Sequence, residues 1–131
     1  MKLKTYFVIN AVLAVLFGLV SLLFAKQFGQ NMGLDVTDGL VSFSRTSGAY
    51  LLALAIVIWA GRNQTGNIVS KGLLWSILFV QAEAAIQGGY EILSGQFKSS
   101  MWGVIGMHII LALGAIYYLY QDRTGSSASQ S

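Results

Sequence analysis

Four apolar blocks alternate with short polar stretches along the 131-residue chain. A helix of about 20 residues rises 1.5 Å per residue and so matches the roughly 30 Å hydrocarbon core of a bilayer. The pattern predicts transmembrane helices at 5–25, 40–60, 72–93 and 101–120. Between them lie polar connections: Lys26 to Gly39, Gly61 to Lys71 and Ser94 to Ser100. The first connection has room for a short surface helix, although nothing in its residues demands one. Residues 121–131 are polar and serine-rich, and they carry too little apolar surface to fold, so they are expected to form a disordered tail. The first block exceeds the roughly 7–15-residue apolar core of a signal peptide, and Leu23 is a poor residue before a cleavage after Ala25. It is therefore read as a span.

The third block, GLLWSILFVQAEAAIQGGYEIL, sets the main constraint. At about 100° per residue, Ser76, Val80, Glu83, Gln87, Tyr90 and Glu91 fall on one arc of its helix. An acidic residue near the bilayer centre costs on the order of 3 kcal/mol on insertion scales. The arc is thus expected to face protein or an enclosed wet cavity, covered by the other three spans.

Small residues mark where helices can approach closely. Ala14/Gly18 in the first span, Ser44/Gly48 in the second, and Ala84/Gly88 and Ala85/Gly89 in the third are four-residue spacings of that kind. Asn10, Ala14, Phe17 and Ser21 share a face beside Gly18, which is expected to be the packing side of the first span. Trp102 at one end of the last span and Tyr117, Tyr118 and Tyr120 at the other fit interfacial aromatic belts.

Composition removes several classes of function. With 55% hydrophobic and 10% charged residues, the chain is too apolar for an ordinary soluble domain of its size. It has no cysteine and one histidine, which leaves no thiolate site and no all-protein zinc or haem site. No metal and no cofactor is called for. The net charge of +3 comes without a basic cluster, so nucleic acid is not an expected partner. Four spans put both termini on one side. That side carries Lys2, Lys4, Arg62, Lys71 and Arg123, against Lys26, Lys98 and the partly embedded Arg45 on the other. The bias favours cytoplasmic termini.

Counting from the span ends places Arg45, Gln87 and His108 at similar depth, roughly 9–11 Å in, with Glu91 shallower and Glu83 deeper. Arg45, Glu83, Gln87, Glu91 and His108 are therefore expected to meet in the outward half of the bundle, as a ligand-binding or buried polar cluster. Several uses compete. Arg45 can pair with Glu83 or Glu91 while Gln87 and His108 complete a hydrogen-bonded brace; alternatively, its long stem can snorkel to the interface. The cluster can line a pocket for a small hydrophobic ligand such as a quinone or lipid, with Tyr50 and Tyr90 adding ring surface. Glu83 and His108 can relay protons. The same groups can bridge to another copy in a homo-oligomer or to a subunit of a larger membrane complex. There is no serine nucleophile motif with a base and no glycine-rich phosphate loop, so an enzymatic role is disfavoured and no catalytic residue is assigned.

The run LLFAKQFGQNMGLD, followed by SRTSGAYLLALAIVIWAGR and ending in MHIILALGAIYYLY, resembles the small bacterial four-span proteins loosely grouped as DoxX-like. The resemblance implies a bundle in a bacterial inner membrane, and in some relatives a link to quinone-coupled sulfur oxidation; it transfers no functional residue. The fold class expected is an all-α membrane protein, a four-transmembrane-helix antiparallel up-and-down bundle with short connections. The function expected is that of a structural or accessory membrane component with a buried polar cluster. Binding of a small hydrophobic molecule and membership of a larger complex are the alternatives.

Overall fold

The computed structural model describes the backbone through Ser127 and the side chains through Gln121. The last part of the segment expected as a tail, residues 128–131, lies outside the described residues. The elements are α1 (Leu3–Leu23), α2 (Ala25–Met32), α3 (Asp38–Gly61), α4 (Ile68–Leu93), a 3-10 turn at Ser99–Met101, and α5 (Trp102–Ser127). No strand occurs among the described residues. Four stretches are long and apolar enough to cross a membrane: α1, α3, α4 and Ser99–Gln121. The all-α, four-span expectation holds.

The helix ends follow from local chemistry. Thr37 caps α3 by accepting from the Leu40 N–H at 3.2 Å. Asn67 and Ser70 cap each other reciprocally, so α4 starts at Ile68 rather than at the expected Gly72. The first connection does hold a helix. In α2, Ala25 and Gly29 are buried one turn apart, while Lys26, Gln27, Gln30 and Asn31 stay exposed. That amphipathic layout suits a helix lying across one end of the bundle. It stops at Gly33, whose φ of 93° is the left-handed conformation glycine supplies at a helix end. At its far end α5 runs to Ser127, past the expected limit at Tyr120.

The four spans pack as two hairpins, α1 on α3 and α4 on α5, with sparse contact between the pairs. In the first hairpin the paired glycines decide the approach. A Cβ on Gly48 would lie 2.7 Å from the Gly18 carbonyl oxygen and 2.8 Å from the Leu22 nitrogen, so the backbones themselves touch. Along this contact Gly18 meets Leu52 and Gly48, and Ser21 meets Gly48 and Ser44. In the second hairpin Gly88 lies against Ile105 and Gln81 against His108.

One end of the molecule is closed by a core that joins the hairpins. Tyr6, Phe7 and Ala11 pack there with Ile58, Leu74, Ile77, Leu111, Ala115 and Tyr118. Two tyrosines can be buried in it because their hydroxyls are satisfied: Tyr6 donates to the Leu111 carbonyl at 2.6 Å, and Tyr118 donates to the Met1 carbonyl. At the opposite end Lys98 acts as a clasp. Its N–H donates to the Met32 carbonyl at 3.0 Å and its Nζ to the Gln30 carbonyl at 3.2 Å. These carbonyls terminate α2, where a helix lacks internal donors and its dipole favours a cation. Between core and clasp the hairpins diverge. Outside, Leu16, Ile56, Phe79, Ile86, Ile110 and Leu113 are exposed, as side chains that contact acyl chains in a bilayer must be.

Candidate functional site

The divergence leaves a cavity of about 530 Å³ lined by all four spans, with Phe28 and Met32 of α2 and Phe97 at the clasp end. Its walls are mostly apolar, from Leu13, Phe17, Leu51, Leu54, Val104 and Met107 among others. The lining residues of α1 and α5 are buried or half-buried, whereas Tyr50 on α3 and Glu83 and Gln87 on α4 are exposed. The cavity therefore opens sideways, between α3 and α4.

A directed chain of hydrogen bonds crosses its deep end. The Asn10 amide donates to the Tyr6 carbonyl at 3.0 Å, the Gln81 amide donates to Asn10 Oδ1 at 3.2 Å, and Gln81 Oε1 stands 2.5 Å from His108 Nδ1. The Tyr6 carbonyl can only accept, so each amide must present its oxygen to the next group. His108 accordingly carries its proton on Nδ1, and neutral His108 keeps Nε2 as an acceptor. The protein's single histidine makes this directly measurable. The ¹⁵N spectrum of the imidazole should show a protonated Nδ1, and Gln81→Leu should shift the ring towards the Nε2-protonated form while costing about 1 kcal/mol of stability. An unchanged ring spectrum in that variant would contradict the chain.

Four of the five residues expected to meet line this one cavity: Glu83, Gln87, Glu91 and His108. Gln87 Nε2 donates to Glu91 Oε1 at 2.8 Å, one helical turn on. Arg45 stands apart. It is exposed, it is absent from the cavity wall, and it forms no ion pair with Glu83 or Glu91. On α3 the cavity face carries Ser47, Tyr50, Leu54 and Ile58, and at 100° per residue Arg45 lies nearly opposite it.

The acidic arc of the third span is not covered as expected. Ser76, Glu83, Gln87 and Tyr90 are exposed, and Glu83 sits on a ridge between the cavity and an outer depression formed by Trp75, Leu78, Phe79, Ala82 and Ile86. The cause is the rotation of α4. It packs through Ser70, Leu74, Ile77, Gln81, Ala84 and Gly88, at three- and four-residue steps, and this seam lies about a third of a turn from the arc. Gln81 is the functional residue that sequence reasoning missed. Its signal was position: it occupies the face of the small residues Ala84 and Gly88, where a lone amide must find a partner across helices.

Among the described residues no group of three His, Asp or Glu side chains is placed to hold a metal ion. The chain matches no protein-family model, no curated protein and no solved structure.

Proposed function

We propose that this chain is an integral membrane protein that holds a small amphipathic molecule, drawn from the bilayer between α3 and α4, in the cavity between its two hairpins. The observation that carries this reading is a laterally open, largely apolar cavity with polar groups concentrated at its deep end and at its rim. Its volume falls in the roughly 300–1,000 Å³ range typical of ligand pockets. A purely structural brace is less well supported, since the ion pair it relies on is not formed and the polar chain at the deep end borders the cavity rather than packed side chains alone. An antiparallel, up-and-down order of the spans belongs to the same reading. It is supported by contacts along α1 that rise in residue number while those along α3 fall. So do a DoxX-like relationship, a bacterial inner-membrane location and cytoplasmic termini, which rest on the sequence runs and the charge bias described above. The role is binding rather than catalysis.

The test is mass measurement of the intact protein released from its native membrane. One small molecule per chain should survive at collision energies that strip annular lipid, and bare chains in every preparation would contradict the proposal. The outer depression beside Glu83 favours a second reading, a lateral contact with another copy or another membrane subunit. The same measurement would reveal that as a homo-oligomer or heteromer.

A further inference from the structure

We infer that the head of the bound molecule is a cation that donates hydrogen bonds, of the protonated-amine class; this rests on the binding role proposed above and specifies its ligand. Among the described residues, two carboxylates line the cavity, Glu83 and Glu91, and no lysine or arginine does. Among the same residues Glu83 forms no side-chain hydrogen bond, and Glu91 is engaged only through Oε1, by Gln87. The cations at this end stand away from the cavity wall: Lys98 is turned to the α2 carbonyls, Arg45 lies on the far side of α3, and Lys26 is exposed on α2. Carboxylates within a membrane span are expensive without a counter-charge. The described residues provide none, and a cationic head at the α3–α4 opening would.

The deep end offers no competing place for an anion: the hydrogen-bond chain from the Tyr6 carbonyl makes the free nitrogen of neutral His108 an acceptor. The rings of Phe17, Phe28, Tyr50 and Phe97 line the same space, and their faces attract cations. An anionic head would meet two carboxylates in a medium that screens charge poorly. The geometry thus sorts amphiphiles by the sign of the head, while the apolar wall takes the tail.

Three probes with the same tail test this: dodecylamine, dodecanol and dodecanoate, each added to the purified protein in phosphatidylcholine nanodiscs near neutral pH and read by native mass spectrometry. The amine should bind one per chain, about tenfold more tightly than either other probe, equivalent to about 1.4 kcal/mol. The double variant Glu83→Gln/Glu91→Gln should bring the amine down to the level of the alcohol. Glu83→Gln alone, which keeps the Gln87–Glu91 bond, should remove part of the preference and serves as the milder variant if the double one folds poorly. Equal binding of amine and alcohol to the parent protein would overturn the cationic head while leaving the cavity reading intact. A preference that persists in the double variant would overturn the role given to the carboxylates. Failure of all three probes to bind would overturn both this inference and the binding role.

Discussion

Gly48→Leu is expected to lower the stability of the bundle by about 2–3 kcal/mol, the upper part of the range for overpacking a tight contact. The reason is the identity of the atoms in the way. A Cβ at Gly48 meets the Gly18 carbonyl and the Leu22 nitrogen, which belong to the backbone of α1 and can yield only if the two helices separate. The reciprocal change is milder. At Gly18 an added Cβ would lie 2.9 Å from Leu52 Cγ and 3.0 Å from the Gly48 carbonyl oxygen, a single backbone atom and farther off than the two that Gly48 meets. Gly18→Ala should therefore cost less than Gly48→Ala. Gly72→Ala, with nothing within 4 Å of the added carbon, should be neutral or slightly stabilising through helix propensity. Thermal unfolding in one detergent would rank the variants. A Gly48 variant as stable as the parent would contradict the backbone contact of α1 with α3.

The second large effect is loss of the bound molecule on occlusion of the cavity. Ser47 lines it from α3, is half-buried, and takes no part in the core that joins the hairpins. Ser47→Trp should place an indole in the space the ligand occupies and reduce retention at least about tenfold, or about 1.4 kcal/mol. Unfolding temperature should change little, since no core contact is removed. Full retention of the ligand in a folded Ser47→Trp protein would place the binding elsewhere.

The spans were legible in the sequence because membrane helices must be apolar over a fixed length, and Gly18 and Gly48 were each legible as points of close approach because only small residues permit it, while their pairing with each other was not. The small amphipathic helix α2 was less so: in a stretch with exposed lysine and glutamine, its helical state depends on burying Ala25 and Gly29 against α1 and α3. The site was read in part. Depth counting along helices brings Glu83, Gln87, Glu91 and His108 to one cavity, since rise per residue is constant. Rotation about the helix axis is set by packing, and there the reading erred. Arg45 was placed with the cluster by its depth and by the face it shares with Gly48, yet the seam of Ser44, Gly48 and Leu52 against α1 has Arg45 on one flank and the cavity on the other; Gln81 was passed over for the acidic arc, yet the small-residue seam turns it inward.

The hairpins are sealed at the end holding Met1, Tyr6 and Tyr118 and part from each other beyond it, leaving a cavity that opens between α3 and α4. The chain has no cysteine, so single nitroxide labels can be placed without a background. Labels at Val80, on the cavity wall and outside the α4–α5 seam, and Ile77, in the core, should differ in collision rate with dissolved oxygen in lipid. Val80 is predicted to be mobile and oxygen-accessible, and Ile77 immobile and shielded. A Val80 label as immobile and shielded as the one at Ile77 would show the hairpins packed together along their length and would contradict the account.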